Sequence, residues 1–224
     1  GKLDLGGLCR YVACSDRKPQ SIHRAGPGTL FGGGRLLIGK DAIVKIFIDT
    51  ANVDEIREAM DMGLLDGVTT NPSLAAKESR PYEDILKEIC KVCPGPVSAE
   101  VISIATDEMV AEGRRLAKLA DNIVVKIPST IAGLQATSVL AREDIPVNMT
   151  LCFSLNQAIL AAESGAAYVS PFVGRLDDIG EDGMQLVVDI VDYLRYHNLP
   201  TQVIAASIRH TAHCLSAAKF GAHI

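Results

Sequence analysis

Short apolar runs alternate with longer segments of helical spacing from Lys45 to the end of the chain. Most of the runs are apolar on consecutive residues, which is typical of parallel strands covered on both faces. They predict strands at 45–49, 67–70, 96–101, 122–127, 146–151, 167–172 and 202–207. The intervening patterns predict helices at 53–63, 82–92, 106–120, 132–143, 155–165, 177–197 and 209–221.

This alternation predicts the fold class. Seven βα units in about 180 residues favour a (β/α)8 TIM barrel of the α/β class over an open sheet. A doubly wound sheet is the alternative, but no GxGxxG follows the first strand. Gly63, Gly165 and Gly221 are expected to end helices, and Thr106 is expected to cap the start of one.

Residues 1–44 differ from the rest of the chain. They carry seven basic and three acidic residues and nine of the 19 glycines, and they lack a sustained apolar period. We expect a flexible N-terminal extension, followed by a catalytic domain at 45–224. Within the extension, the run GRLLIGK at 34–40 matches the start of a phosphate loop. Asp41 stands where a Ser or Thr is needed, and so we interpret this match as chance.

Composition excludes several classes of partner. Lys and Arg total 22 against 27 Asp and Glu, and this net charge of −5 opposes binding to nucleic acid. No apolar run approaches the ~20 residues of a membrane helix, and the first residues lack the apolar core of a secretory signal. Six irregularly spaced cysteines are expected to be reduced thiols, and Cys90 and Cys93 lack the second pair of a zinc site. We therefore expect a cytoplasmic protein without a metal or a membrane partner.

Polar residues follow or end each predicted strand. In a TIM barrel the chemistry gathers at the carboxyl ends of the strands. The residues at these ends are Asp49, Thr69, Thr70, Asn71, Glu100, Lys126, Asn148, Thr150, Ser170 and Ser207. A strand that only builds a core has little use for such side chains, so they are candidates for a catalytic site.

Lys126 is the most informative of these residues because it interrupts the apolar run NIVVKIP. Burial at an inward position favours the neutral amine, which is the nucleophile of Schiff-base chemistry. Such chemistry also needs carboxylates for proton transfer, which Asp49 and Glu100 supply. The alternative for Lys126 is an ammonium that reaches out to the rim and pairs there with Asp49 or Glu100. Asp49 could instead cap the helix near Val53, and Glu100 could be only a structural partner of Lys126.

A second group of candidates follows strands six and seven. Ser170, Arg175, Ser207 and Arg209 lie near the late loops where barrels of this kind bind phosphate. Two guanidinium groups and nearby hydroxyls match the oxygens of a phosphate. Each arginine alone is more often a surface residue, but their occurrence together on adjacent loops favours an anion site.

Residues 45–224 resemble the transaldolase-like family, which contains transaldolases and fructose 6-phosphate aldolases. Seven motifs carry the resemblance in order: FIDTAN (47–52), GVTTNPS (67–73), SAEV (98–101), NIVVKIPST (122–130), VNMTLCFS (147–154), YVSPFVGRLDDIG (168–180) and AASIRH (205–210). The resemblance implies a mechanism without metal or cofactor, in which Lys126 forms an imine with a ketose phosphate. It further implies these roles: Asp49 as acid and base, Glu100 and Thr150 with a catalytic water, Thr70, Asn71, Asn148, Phe153 and Ser170 at the substrate, and Arg175, Ser207 and Arg209 at its phosphate.

Two positions distinguish the subfamilies. The aldolases are similar to one another in carrying Gln in place of Glu100 and Tyr in place of Phe153, so both positions here resemble transaldolase. The expected reaction moves dihydroxyacetone from sedoheptulose 7-phosphate to glyceraldehyde 3-phosphate, a step of the pentose phosphate pathway. Fructose 6-phosphate aldolase is the alternative within the family.

The resemblance also bears on the two ends of the chain. Family members begin close to Lys45 and continue beyond Ile224 through an eighth strand, its helix and a terminal helix that packs on a neighbouring subunit. We therefore expect a barrel whose eighth strand and C-terminal helices are truncated, with edges on strands one and seven, and a homo-oligomer in the complete form. An inactive barrel fragment is the alternative of another class.

Overall fold

A single parallel β-sheet forms the centre of the described structure. The computed structural model describes residues 44–224, so the segment 1–43 and its run at 34–40 lie outside the described residues. One sheet of seven parallel strands follows the order of the chain. The strands are β1 Phe47–Asp49, β2 Gly67–Thr69, β3 Val97–Glu100, β4 Ile123–Pro128, β5 Val147–Cys152, β6 Tyr168–Pro171 and β7 Gln202–Val203.

Helices connect each strand to the next. They are α1 Val53–Asp61, α2 Pro72–Ala75, α3 Tyr82–Val92, α4 Thr106–Ala117, α5 Ile131–Ala141, α6 Leu155–Glu163, α7 Val173–Asp177, α8 Gly183–Tyr196 and α9 Thr211–Phe220, with a 3₁₀ turn at Ala76–Glu78. Alternating parallel strands and helices in this order form a curled TIM-type half-barrel. None of the described helices is long and apolar enough to cross a membrane.

Alternate residues of each strand lie on opposite faces of the sheet. One set, including Ile48, Val68 and Val125, joins a buried cluster with helix residues such as Ile56 and Leu116. The other set lies on the inner face of the curled sheet. Near the amino ends of the strands this inner set is apolar, because Phe47, Ile204 and Ile224 pack together with Tyr168. We call these four residues the barrel floor.

His223 and Ile224 partly occupy the gap between β7 and β1. The backbone N–H groups of His223 and Ile224 donate to the carbonyl of Val203 at 3.0 and 3.1 Å. Lys45 N–H donates to the carbonyl of His223 at 3.1 Å, on the β1 side. The expected edges on strands one and seven are therefore bridged at this level, at the point where an eighth strand of a TIM barrel begins.

The predicted number of strands is confirmed, and several predicted boundaries are corrected. The helix predicted at 177–197 begins only at Gly183, because Gly180 adopts a left-handed φ of 83° and Asp182 caps the helix by accepting from Met184 N–H and Gln185 N–H. The short helix α7, which ends at Asp177, was not predicted. Thr106 is not the cap predicted for its helix; it lies inside α4, and its hydroxyl donates to Gln135. The strand predicted at 202–207 is short, and Ser207 follows it with a left-handed φ of 60°.

Candidate active site

Lys126 is buried at the carboxyl-terminal part of β4, with 7% of its surface exposed. Its Nζ lies 2.9 Å from Glu100 Oε2, on the neighbouring strand β3. Nζ also donates a hydrogen bond of 3.0 Å to the carbonyl oxygen of Thr70, which follows β2. The side chain therefore does not reach out to the rim, and its amine is held between a carboxylate and a carbonyl.

The pairing of the strands explains why these groups meet. Glu100, Lys126 and Asn148 are direct neighbours across β3, β4 and β5. Since successive residues of a strand point to opposite faces, direct neighbours share a face, and in a barrel the inner face is crowded. One polar residue per strand at this level is enough to build a cluster.

A buried hydrogen-bonded row lies beside Lys126 on the inner face. Ser170 Oγ on β6 donates to Asn148 Oδ1 at 2.7 Å, and Asn148 Nδ2 donates to Ser98 Oγ on β3 at 3.1 Å. The bond from Asn148 to Ser98 passes over β4, so it joins alternate strands of the barrel. This row fixes the orientation of the Asn148 amide.

Asp49 ends β1 at the same edge of the sheet and is exposed. Thr69 on β2 donates to its Oδ1 at 2.8 Å. The cap of α1 is Asn52, whose side chain accepts from Asp54 N–H and Glu55 N–H. The structural alternative for Asp49, a cap near Val53, is therefore wrong, and its carboxylate faces solvent at the carboxyl ends of the strands.

Thr150 lies on the inner face of β5, and its hydroxyl is buried without a hydrogen-bond partner among residues 44–224. A β-bulge follows, with Leu151 at a left-handed φ of 54°. Phe153 comes directly after the strand, is 39% exposed and packs edge-on against Phe172, with ring centroids 5.6 Å apart. The end of β5 thus presents one unpartnered hydroxyl and one accessible ring. Asn71 differs, because its Oδ1 already accepts from Leu74 N–H and starts α2.

The predicted anion group assembles in part. Arg209 Nη1 donates to Ser207 Oγ at 3.2 Å, and its Nη2 pairs with Asp178 Oδ2 at 2.6 Å. This Arg209 hydrogen bond lowers the pKa of Asp178, to which the charge of Arg175 on α7 also contributes. Both guanidinium groups are exposed, and so they are open to an anion from solvent. Ser170 does not join them, because its hydroxyl belongs to the buried row with Asn148.

Comparison with known proteins shows the family to which the chain belongs. The profile of a family described as Transaldolase/Fructose-6-phosphate aldolase matches residues 46–224. The chain belongs to this family. Of proteins named probable transaldolase, one from Shouchella clausii is 56% identical over 81% of this chain and 84% of its own length. Others from Hydrogenobaculum sp. and Methanococcus maripaludis are 57% and 54% identical over 81% of this chain, and over 83% and 84% of their own lengths.

Three residues at or behind the candidate site were not predicted from the sequence. Ser98 orients Asn148, and Tyr82 on α3 contacts both Thr70 and Glu100. His213 on α9 lies 2.9 Å from Asp177, while its Nδ1 accepts from Arg209 N–H at 3.3 Å. Alternation along β3 places Ser98 on the same face as Glu100, so that residue had a signal in the sequence. Tyr82 and His213 had none, because helical spacing does not tell which strand end a helix residue meets.

The two cysteines of the CxxC sequence lie at the end of α3. Burial, followed by the nearby Cys93, raises the pKa of the Cys90 thiol to about 12. Burial likewise raises the pKa of the Cys93 thiol. A thiol that stays protonated is a poor nucleophile, which fits a packing role for this pair.

Proposed function

We propose that the chain is a class I transaldolase that transfers dihydroxyacetone from sedoheptulose 7-phosphate to glyceraldehyde 3-phosphate through a Schiff base on Lys126. The observation that carries the proposal is the buried amine of Lys126, 2.9 Å from the Glu100 carboxylate at the carboxyl ends of the strands. The relatives named probable transaldolase support the same reaction.

Formation of the imine needs a neutral amine and an acid. Glu100 accepts the proton of the Lys126 ammonium, and the freed amine attacks the C2 carbonyl of the ketose phosphate. The resulting carbinolamine loses its hydroxyl group as water when Glu100 returns the proton. We assign Thr150 to the ordering of this water, because its buried hydroxyl has no other partner among the described residues.

Cleavage of the carbon–carbon bond then needs a base on the far side of the site. Asp49 takes the proton of the C4 hydroxyl, the C3–C4 bond breaks, and its electron pair neutralises the imine to form an enamine. Erythrose 4-phosphate leaves. The enamine attacks the aldehyde carbon of glyceraldehyde 3-phosphate, Asp49 returns its proton, and hydrolysis of the new imine releases fructose 6-phosphate.

The remaining polar residues are assigned to substrate binding. Asn148 and Ser170 are assigned to the sugar hydroxyls, supported by the buried hydrogen bond that orients both side chains on the inner face. Asn71 and Thr70 contribute from the end of β2, and Phe153 borders the path of the water. Arg175, Ser207 and Arg209 receive the phosphate, which is supported by the exposure of both guanidinium groups. We further infer a cytosolic protein, since the described cysteines Cys90, Cys93, Cys152 and Cys214 are free thiols. A homo-oligomer is proposed from the family resemblance alone.

Trapping of the Schiff base tests this proposal. Incubation with fructose 6-phosphate and borohydride should reduce the imine to a stable adduct, which peptide mass mapping should place on Lys126. Lys126→Ala should abolish the adduct. An adduct that persists in this variant, or that maps to Lys45 or Lys118, would contradict the assignment.

Asp49→Asn is the matched control for the trapping experiment. It removes the base for cleavage but leaves Lys126 and Glu100 in place, so the adduct should still form. Single-turnover cleavage should slow by about 10²–10⁴, the usual range for the loss of a general acid or base. If cleavage were unchanged and imine formation collapsed, Asp49 would belong to the dehydration step instead.

A further inference from the structure

The hydroxyl of Tyr82 lies where the ladder between β2 and β3 ends. Tyr82 is the first residue of α3, and its Oη is 2.9 Å from Thr70 Oγ1. The backbone N–H of Glu100 donates to the same Oη at 2.9 Å. One side chain from a helix therefore contacts the ends of two neighbouring strands. Both contacted residues are the partners of Lys126.

The direction of each hydrogen bond follows from the donors available. The hydroxyl of Thr70 donates to the carbonyl of Ser98 at 2.9 Å, and a carbonyl can only accept. The proton between Thr70 and Tyr82 therefore comes from Tyr82. Burial raises the pKa of Tyr82 to about 12, with further contributions from the carboxylates of Glu100 and Glu112, so the phenol keeps this proton at physiological pH.

The hydrogen bonds between β2 and β3 show which regular bond the contact between Glu100 and Tyr82 replaces. Val68 N–H donates to the carbonyl of Pro96, and Thr70 N–H donates to that of Ser98, as in a regular parallel ladder. Continued by one step, the ladder would direct Glu100 N–H to the carbonyl of Thr70. Glu100 N–H donates to Tyr82 instead, and the Thr70 carbonyl accepts from Lys126 Nζ at 3.0 Å.

We propose that Tyr82 is a positioning residue, which draws the Glu100 amide out of the ladder and so leaves the Thr70 carbonyl to hold the Lys126 amine. By fixing the backbone of Glu100, it also sets the place of the carboxylate that pairs with this amine at 2.9 Å. Tyr82 touches neither the substrate nor the amine. It acts on the imine chemistry through Thr70 and Glu100, and in this respect the inference rests on the proposed Schiff-base function.

Tyr82→Phe removes only the oxygen atom and tests this role. Without it, Glu100 N–H is free to turn to the Thr70 carbonyl and compete with the amine for that oxygen. A weaker bond from the amine to this carbonyl means that the pH at half-maximal rate of adduct formation should fall by about half to one unit. The plateau rate at high pH should fall about 3- to 30-fold, because Glu100 is displaced from its place for proton transfer.

The measurement has a matched control and a second readout. Tyr168→Phe removes a phenol oxygen from the barrel floor and should change neither the midpoint nor the plateau. Competitive labelling with trace acetic anhydride over the same pH range, followed by peptide mass mapping, reports the reactivity of Lys126 without substrate. Its midpoint should also fall in Tyr82→Phe.

The outcomes separate this inference from the proposed function. Absence of any borohydride adduct in the unmutated protein would overturn the Schiff-base function, while the acetylation profiles would still test Tyr82. Identical acetylation and trapping profiles for Tyr82→Phe and the unmutated protein would overturn the role of Tyr82. If Tyr82→Phe does not give a folded near-UV spectrum, Thr70→Val is tested by the acetylation profile alone, which needs no substrate, since this variant removes the oxygen that orients the Tyr82 hydroxyl.

Discussion

The hydroxyl groups inside this barrel differ in whether they already have a hydrogen-bond partner in the protein. Those of Ser170 and Thr70 donate to protein acceptors inside the barrel. Thr150 Oγ1 and Ser129 Oγ are buried without a partner among residues 44–224. A buried hydroxyl left unpaired costs about 1–3 kcal/mol, so a working site is expected to provide a water or a substrate atom. Thr150, on the inner face of β5 two residues beyond Asn148, is where we expect that water.

Phe153 is expected to decide what happens to the donor fragment held on the enzyme. Its ring cannot donate a hydrogen bond to a water near Thr150, so the enamine should wait for an aldehyde acceptor. Phe153→Tyr adds one donor. Release of free dihydroxyacetone from fructose 6-phosphate should rise about tenfold, the scale of one hydrogen bond, and transfer should slow.

A coupled assay for dihydroxyacetone, run with and without erythrose 4-phosphate, measures both rates. Phe220→Tyr, on the exposed face of α9, is the control and should change neither rate. If the unmutated protein already releases dihydroxyacetone as fast as it transfers it, fructose 6-phosphate aldolase becomes the better assignment.

His213 is expected to make stability depend on pH near neutrality. Burial, followed by the adjacent His210, lowers the pKa of His213, and the opposing effect of Asp177 is smaller. In the unfolded chain the pKa is about 6.5, so the unfolded state binds this proton more tightly. The contribution of His213 to stability is complete above about pH 6.5 and is lost as pH falls through the lower pKa of the folded state.

Urea unfolding of the unmutated protein and His213→Gln, between about pH 5 and pH 8, isolates this effect. Gln retains an N–H donor for Asp177 but does not titrate. The free energy of unfolding of the unmutated protein should fall relative to that of the variant as pH drops below about 6.5. Parallel curves over the whole range would contradict this linkage.

At the scale of elements, the close approach of α7 to the segment after β7 shapes the anion group. Gly174 N–H donates to the carbonyl of Ser207 at 3.0 Å. A Cβ at Gly174 would lie 2.2 Å from that carbonyl oxygen and 2.7 Å from Arg209 Cγ. The backbone of the α7 helix can therefore reach the Ser207 segment only because residue 174 has no side chain.

Gly174→Ala should push Ser207 and Arg209 away from α7. We expect the KM for fructose 6-phosphate to rise about tenfold or more, because the backbone that carries the phosphate ligands must move. Borohydride trapping with unphosphorylated dihydroxyacetone should remain within about twofold, since Lys126 is untouched.

Gly113→Ala on α4 is the matched control for Gly174→Ala. Its Cβ would meet only the side-chain ends of Leu140 and Val125, at 2.8 and 3.2 Å, so it should lower stability without raising KM. Equal increases of KM in both variants would show that the close contact at Gly174 has no special effect on the phosphate ligands.

At the scale of the whole molecule, the barrel floor joins the first strand to the last residues. Ile224 is 1% exposed and packs with Phe47 and Ile204, which lie on β1 and directly after β7. These contacts, with the backbone bonds of residues 223–224 and Lys45, hold the two sides of the curled sheet together. Closure at the floor therefore depends on a few residues at the end of the chain.

Ile224→Ala should lower the free energy of unfolding by about 2–4 kcal/mol, through lost burial and a cavity in the floor. Ile131→Ala is the matched control, because Ile131 is 80% exposed and its truncation should change stability by less than about 0.5 kcal/mol. Urea titration followed by near-UV circular dichroism gives both values. A change for Ile224→Ala as small as that for Ile131→Ala would show that the floor does not hold the sheet closed.

Much of this fold was predictable from local pattern. Continuous apolar runs located all seven strands, because a parallel strand covered on both faces has no solvent side. Glycines marked the ends of α1, α6 and α9, where Gly63, Gly165 and Gly221 adopt left-handed φ values that other residues avoid. Lys126 was identifiable as a candidate because a charged residue inside such a run has no packing role.

Only the tertiary structure decided which polar groups meet. Asn148 and Ser98 are 50 residues apart and come together through the curvature of the sheet across β4. Tyr82 reaches Glu100 because α3 packs at the ends of β2 and β3, and Ser170 joins Asn148 rather than Arg209. Hydrophobic periodicity and motif spacing give information only about residues that are close together in the sequence. The direction of a hydrogen bond between strands depends on register, curvature and the donors left unpaired, which exist only once the chain has folded.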